Sequence, residues 1–216
     1  MVEVMTTPAA NFESSCSLRE RGGGAFPDND RRQYVANLTR LRQSKSRDPI
    51  FMQRPWECRE AIIQLLAVGI EQLERSRQSP AHQVVIRIFT STFPQAIYGP
   101  PLADKLSAFL ALGGQIRVLV WNSSLGTNAQ QLERLENNWP NRFSYRISGT
   151  AENGERLSHM TVVGKTAYRI EAPHRVFTED ELTDFSPEIP ARACFNDREG
   201  AQVLTKYFDE LWNILG

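Results

Sequence analysis

Residues 84–121, VVIRIFTSTFPQAIYGPPLADKLSAFLALGGQIRVLVW, decide the fold. The stretch opens with a β-branched run, 84–89, that is typical of a strand. It closes with an apolar run, 116–121, of the kind that forms buried parallel strands. Between the two, Pro100 and Pro101 open a helical pattern that a pair of glycines ends. A strand, a helix and a strand in this order predict a βαβ unit and hence an α/β domain.

On the C-terminal side of this unit the pattern changes to hairpins and shorter connections. We expect one helix and four strands there, at 130–138 and at 142–147, 157–163, 166–171 and 191–195. The loop 172–190 is long enough to be either functional or disordered. A strongly amphipathic terminal helix follows, with Asn196 as its predicted N-cap and Glu199 at the third helical position. Together these elements predict a mixed β-sheet flanked by helices.

The N-terminal side divides into two segments that precede the α/β domain of residues 55–216. Residues 1–27 have no sustained periodicity, and we expect a flexible arm that is dispensable for folding. Residues 28–54 predict a basic helix and a linker. The basic residues of this second segment form either a solvated face or a contact for a nucleic acid or protein partner: Arg31, Arg32, Arg40, Arg42, Lys45 and Arg47.

The composition narrows the class of protein. The 216 residues include 25 basic and 25 acidic side chains, which excludes a protein held on nucleic acid by bulk charge alone. No basic and apolar leader opens the chain, and no apolar run predicts a membrane span. Widely spaced cysteines without C-x-x-C favour a cytoplasmic protein with reduced thiols. The spacing of cysteines and histidines predicts no metal site, and no cofactor is expected.

Three familiar site motifs are missing from the sequence. Gly164-Lys165-Thr166 imitates the end of a phosphate-binding P-loop. However, His159 stands where the first glycine of that loop is needed, and a strand follows where the motif requires a helix. Neither G-x-S-x-G nor G-x-G-x-x-G occurs, so a serine hydrolase of the first type and a dinucleotide fold are not supported.

The order of elements over residues 57–215 resembles one repeat of the phospholipase D superfamily. The matching text is IRIFTST (86–92), LSAFLALGGQIRVLVWN (106–122), LSHMTVVGKTAYRIE (157–171) and ARACFNDREGAQVLTKYFDELW (191–212). The resemblance implies a single phospholipase D-like α/β domain with metal-free phosphodiester chemistry. In that chemistry one histidine attacks phosphorus, and a second, from another repeat or subunit, protonates the leaving group.

The catalytic motif of that family is only partly present. Active members carry H-x-K, four further residues and Asp, and then Gly-Ser-x-Asn. Here His159 occupies the histidine position, whereas Thr161 stands at the lysine position and Thr166 at the aspartate position, and no Gly-Ser-x-Asn follows. Arg169 is a candidate to replace the lysine charge, and His174 is a candidate second acid. The resemblance therefore implies a degenerate motif.

Two functions of different classes follow from this resemblance. The first is a non-catalytic binding or regulatory module for a phosphate-bearing ligand (nucleic acid or nucleotide) or for a protein partner. The second is a divergent phosphodiesterase or nuclease that works as a homodimer, because a single repeat must obtain its second histidine from another copy. The candidate catalytic residues are His159, Glu171 and His174. The candidate ligand contacts are Thr90, Ser91, Thr92, Trp121, Asn122, Thr161 and Arg169. Alternatively, His159 has a structural role only, as a strand histidine with satisfied hydrogen bonds.

The register of the hairpin decides whether such a site exists. A two-residue turn would mix charged and apolar side chains on both faces. A three-residue turn, residues 164–166, gathers the apolar residues on one face and brings His159 opposite Glu171 and Thr161 opposite Arg169. Burial of one face selects register strongly, and three-residue hairpin loops are common. We therefore predict the three-residue turn, with His159 and Glu171 within reach of each other.

Overall fold

The structure is a computed structural model, and it describes residues 28–76, 83–121, 129–148 and 156–215. The predicted flexible arm 1–27 and the predicted ligand contact Asn122 therefore lie outside the described residues. Within the described ranges, no helix is long and apolar enough to cross a membrane.

The helices and strands follow the predicted order. The helices are α1 (Asp28–Gln43), α2 (Pro55–Ser76), α3 (Gln95–Tyr98), α4 (Pro100–Ala111), α5 (Ala129–Asn138) and α6 (Arg198–Ile214). The strands are β1 (Ile50–Met52), β2 (Val85–Thr90), β3 (Gln115–Val120), β4 (Phe143–Ile147), β5 (Arg156–Leu157), β6 (Met160–Val163), β7 (Ala167–Glu171), β8 (His174–Arg175) and β9 (Ala191–Cys194).

Seven of the strands form one mixed sheet in the order β1-β9-β7-β6-β2-β3-β4. Strand β2 is parallel to β3, and β3 is parallel to β4, whereas the other neighbours are antiparallel. Because α4 connects β2 to β3, the predicted βαβ unit is present. Strands β5 and β8 pair separately as a short antiparallel ribbon. The predicted fold class, an α/β domain with a mixed sheet flanked by helices, is confirmed.

Helices cover both faces of this sheet. Helices α2 and α4 bury one face in the larger core, which includes Leu65, Phe109 and Ile88. Helix α6 packs on the other face, where Phe208 and Trp212 join a second apolar cluster. A βαβ unit needs both faces covered, and the amphipathic terminal helix supplies the second layer.

Four local features differ from the sequence expectation. Strand β1 lies within the predicted linker and pairs with β9. It was not predicted, because a strand of three residues is too short to show a periodicity. Ser158 and His159 interrupt the strand expected at 157–163. Strand β8 lies within the predicted loop.

The fourth difference is the cap of α6, for which the prediction of Asn196 is wrong. The Asp197 side chain accepts the capping hydrogen bond from the backbone N–H of Gly200, at 3.0 Å. The Asn196 amide instead donates to the carbonyl of Lys45, at 3.1 Å. The cap shifts by one residue because Asn196 fastens the connection that follows α1.

Candidate functional site

The β6–β7 hairpin has the predicted three-residue turn. Val163 pairs with Ala167, which leaves residues 164–166 as the loop. Gly164 has φ of 56°, in the left-handed region where a glycine is favoured because it has no Cβ. The alternative two-residue turn is therefore excluded, and the register prediction is confirmed.

This register gathers the polar residues of the hairpin on the sheet face that looks towards α2. Thr161 lies opposite Arg169, and the backbone N–H of Glu171 donates to the carbonyl of His159 at 2.8 Å. Arg169 and Glu171 are nearly inaccessible, at 2% and 3% exposure. A buried charge of either sign is costly unless it is paired, so these two groups must satisfy each other.

The Glu171 carboxylate is the centre of the site. One oxygen, Oε2, lies 2.6 Å from Nδ1 of His159 and 2.9 Å from Nε2 of His174. The other oxygen accepts a hydrogen bond from the Arg169 guanidinium. Burial alone raises the pKa of Glu171, but the charge of Arg169 and the contact with His159 outweigh it and hold that pKa well below its usual range. The carboxylate is therefore ionised.

His174 is held as a cation by its two hydrogen-bond partners. Its Nε2 faces the Glu171 carboxylate, and its Nδ1 lies 2.6 Å from the carbonyl oxygen of Arg175. Both partners only accept, so both ring nitrogens must carry hydrogen. Burial lowers the pKa of His174, but the hydrogen bond to Glu171 and its negative charge raise it more, and the net shift is upward.

His159 is the second histidine on the Glu171 carboxylate. Its Nδ1 donates to Glu171, so in the neutral form of the ring Nε2 would be the nitrogen without hydrogen. This Nε2 is buried and has no hydrogen-bond partner among the described residues. Buried polar atoms are nearly always paired, so an unpaired one calls for an explanation. A bare imidazole nitrogen can accept a proton, bind a metal ion or attack an electrophile.

The His159 side chain lines a small pocket. The cavity has a volume of about 20 Å³, room for little more than one water molecule. Its polar lining comes from the β2 end and from the residues just described: Thr90, Ser91, Thr92, His159, Arg169, Glu171 and His174. The structure thus brings these seven predicted residues together in one pocket.

A second part of the lining is apolar and comes from outside the predicted set. Pro94, Ile97 and Tyr98 of the α3 region form one side. Residues 176–189, which we call the cover segment, form the other through Phe177, Leu182 and Ile189. The long loop 172–190 was expected to be functional or disordered, but its path over the pocket depends on long-range contacts that no local pattern encodes.

Two predicted ligand contacts do not line the pocket. Trp121 packs edge-to-face on Phe89, with ring centres 6.4 Å apart, in the cluster under α6. Trp121 lies two residues after Leu119, and the alternation of side chains along β3 places both in that cluster, away from the pocket. Thr161 is fully buried opposite Arg169 and belongs to the wall behind the lining.

The basic segment on α1 and after it is separate from the pocket. Arg31 pairs with Glu60 at 3.1 Å and lies 3.6 Å from Asp184, and Arg42 pairs with Glu71. Of the six basic residues of this segment, Arg32, Arg40, Lys45 and Arg47 are exposed. The segment is therefore partly engaged in fastening α1 to α2 and to the cover segment.

The structure also corrects the expectation that the chain has no cluster of metal ligands. One ligand atom each from His159, Glu171 and His174 lies within 4.8 Å of the others. Sequence spacing missed the cluster because the hairpin and β8 bring together residues that fit no zinc motif. These three residues are the ones that could hold a metal ion. Arg169 opposes such binding, since its charge already occupies the other oxygen of Glu171.

Cys58 lies next to this cluster but is not a reactive thiol. It is fully buried in α2, and burial raises the pKa of its thiol to about 11. The nucleophile is the thiolate, so a thiol that stays protonated at neutral pH is inert. Cys58 is therefore a buried structural residue.

Comparison with known proteins gives structural likeness only. No family model matches the chain, and no curated protein matches it. A phospholipase D family member, Nuc from Salmonella typhimurium, is 12% identical over 77% of this chain and 94% of its own, with a TM-score of 0.49. The archaeal chromatin protein TrmBL2 is 9% identical over 86% of this chain and 62% of its own, with a TM-score of 0.43. Polyphosphate kinase from Porphyromonas gingivalis is 14% identical over 72% of this chain and 22% of its own, with a TM-score of 0.45. Identities this low assign no activity to the chain.

Proposed function

We propose that this chain is a degenerate phospholipase D-like domain that binds a phosphate-bearing ligand, a nucleic acid or a nucleotide, in the His159 pocket. The observation that carries the proposal is the buried Nε2 of His159, which has no partner among the described residues and belongs to a ring that lines the cavity. A phosphate oxygen placed there would supply the missing hydrogen bond once Nε2 is protonated.

The charge of the pocket supports an anionic ligand. Arg169 and the His174 cation contribute two positive charges, and the Glu171 carboxylate contributes one negative charge, so the buried cluster is positive overall. Such a charge is strongly felt because little water screens it. The side chains of Thr90, Ser91 and Thr92 add hydroxyl groups at the end of β2.

A binding role fits this geometry better than catalysis. The second histidine that lines the pocket, His174, already donates its Nε2 proton to Glu171. Its other nitrogen faces the carbonyl of Arg175. No described ring N–H is therefore aimed at a leaving group, and Thr161 provides no charge in place of the lysine of the family motif.

Titration of inorganic phosphate into the purified protein tests this function. We expect binding to the native chain and at least a tenfold weaker affinity for His159→Ala. Arg134→Ala, which removes an exposed charge on α5, is the matched control and should leave the affinity unchanged. Equal phosphate affinity for the native chain and His159→Ala would contradict the proposal.

A second candidate function is a divergent phosphodiesterase or nuclease that works as a homodimer. It is favoured by the orientation of His159, because Glu171 holds the Nδ1 proton and leaves Nε2 free to attack phosphorus. The P–N bond would form as the bond to the leaving oxygen breaks, and water would later release the phosphate from histidine. The leaving oxygen needs a proton, which a second copy of His159 across a twofold axis would supply.

An activity assay separates the two candidates. Labelled single-stranded and double-stranded nucleic acids and a generic phosphodiester would be incubated with the native chain and with His159→Ala, and the molecular mass in solution would be measured in parallel. Turnover that His159→Ala abolishes, in a dimeric protein, establishes the phosphodiesterase. Binding of phosphate without turnover establishes the binding module.

The basic segment provides a further contact in this proposal. The side chains of Arg32, Arg40, Lys45 and Arg47 are exposed, and a nucleic acid or an acidic protein partner would contact them. Contacts of this kind release counterions, so binding through them weakens steeply as salt rises. Binding confined to the buried pocket is less sensitive to salt.

A further inference from the structure

The pocket around His159 is a pit and not a groove. Each polar group of its floor is close to fully covered: the side chains of His159 and His174 are 12% and 11% exposed, and those of Arg169 and Glu171 are 2% and 1% exposed. A groove that admits a continuous strand exposes its floor along a line. Here the small exposed area is concentrated at the two histidines.

The cover segment is a built wall of this pit. At one end, the Glu179 carboxylate accepts hydrogen bonds from the backbone N–H groups of Gln95 and Ala96, at 2.7 and 3.2 Å. In the middle, Asp184 pairs with Arg59 at 2.9 Å.

The other end of the cover segment is fastened as well, because the Ile189 N–H donates to the carbonyl of Gln53 at 2.7 Å. The inner side of the segment is fixed by packing. Phe177 stacks on the His174 ring, with centres 4.9 Å apart, while Leu182 and Ile189 are buried. An incoming ligand therefore meets an apolar wall that is attached at three points along its length.

Charge gives a second constraint on the ligand. Arg169 places a guanidinium beside the Glu171 carboxylate on the floor, and the two histidines direct ring nitrogens to the same carboxylate. A phosphomonoester carries up to two negative charges near neutral pH, whereas an internal phosphodiester carries one. The monoester is therefore attracted more strongly to the Arg169 guanidinium.

We infer that the pit selects a terminal phosphomonoester, as on a nucleotide or at the end of a nucleic-acid strand, over an internal phosphodiester. This inference rests on the proposed function. An internal phosphodiester would have to bring two flanking nucleosides under the cover segment. A terminal phosphate can enter end-on and leave its single nucleoside outside.

The test compares four probes on the native chain: inorganic phosphate, thymidine 5′-monophosphate, an oligothymidylate with a 5′-phosphate, and the same oligothymidylate closed into a circle. We expect the two terminal phosphates to bind at least tenfold more tightly than the circle, with His159→Ala removing this difference. Circle affinity within threefold of the terminal phosphates, while inorganic phosphate still binds, would overturn the inference and leave the proposed function intact. Failure of inorganic phosphate to bind would overturn both.

A variant of the cover segment sharpens this test. Glu179→Ala removes the acceptor for Gln95 and Ala96 and loosens one end of the wall, so we expect affinity for the circle to rise at least fivefold. Glu188→Ala, an exposed residue of the same segment, is the matched control and should leave the affinity unchanged. Folding of both variants is checked by their thermal midpoints. Unchanged circle affinity in a folded Glu179→Ala would show that the wall does not set the preference.

Discussion

The two faces of the β6–β7 hairpin are built from the same two strands in the same register, yet they have opposite chemistry. Met160, Val162 and Tyr168 pack under α6 as ordinary core. On the opposite face, Arg169 and Glu171 are equally buried but charged. Burial of apolar area stabilises the first face, whereas the second must offset the desolvation of its charges through their pairing. The comparison shows that burial stabilises the apolar face directly, whereas the polar face depends on the pairing of its own charges.

The largest expected effect comes from breaking the buried pair on the polar face. Arg169→Met leaves the Glu171 carboxylate buried without its cation, and we expect the free energy of unfolding to fall by about 3–5 kcal/mol. Urea denaturation measures this change. The control is Arg117→Met, on the α6 face, whose side chain is 39% exposed and lies 3.8 Å from Asp209. That variant should cost at most about 1 kcal/mol. Similar losses for both variants would show that the Arg169 pair is no more critical than a surface contact.

The apolar face should respond in stability alone. Met160→Ala empties a site that is 2% exposed, and we expect a loss of about 2–5 kcal/mol in the free energy of unfolding. Phosphate affinity should stay within about twofold at a temperature where the variant is folded, since Met160 points away from the pocket. A large loss of affinity in folded Met160→Ala would mean that the two faces are coupled.

The turn that sets the register gives a smaller effect. Gly164 has a positive φ, so Gly164→Ala should lower the free energy of unfolding by about 1–2 kcal/mol. Gly164→Asn should recover only the backbone part of this loss, because asparagine tolerates the left-handed region but its Cβ meets the Gln72 side chain as that of alanine does. Thermal denaturation of both variants measures the difference. Equal stability for alanine and glycine would argue against the three-residue turn.

Much of the fold could be predicted because its signals are local. The apolar run of β3, the glycines after α4 and the amphipathic pattern of α6 each lie within one element. The hairpin register was also predictable, since only one register separates Met160 and Ile170 from Arg169. Strand β1 and the cover segment were not, because they are fixed by pairing with β9 and by contacts with α2 and α3, far away in sequence.

The same distinction applies to the site. His159, Arg169 and Glu171 follow from sidedness within one hairpin. The contact of both His159 and His174 with Glu171 could not be predicted, because the position of β8 sets where His174 lies. Trp121 was misplaced although the alternation along β3 places it on the same face as Leu119, under α6.

The smallest expected effect is a pH dependence from His174. Its folded-state pKa is raised above the ordinary value of 6.5, so its contribution to stability is complete below pH 6.5 and is lost as the pH rises through the folded pKa. The charged groups that face this ring are Glu171 and, beyond it, Arg169. We therefore expect both stability and phosphate affinity to fall above pH 6.5, and His174→Asn to flatten this slope. A native chain with no such slope would contradict the assignment of His174 as the cation.

The protonation state of the His159 ring tests the central claim most directly. Proton–nitrogen correlation spectra of ¹⁵N-labelled protein distinguish bare from protonated ring nitrogens, and single histidine substitutions assign the three residues. We predict that Nδ1 of His159 carries a proton in the free protein, as its contact with Glu171 requires, and that inorganic phosphate shifts the Nε2 signal of the same ring. An Nδ1 without a proton in the free protein, or an Nε2 signal that phosphate leaves unchanged, would contradict the account.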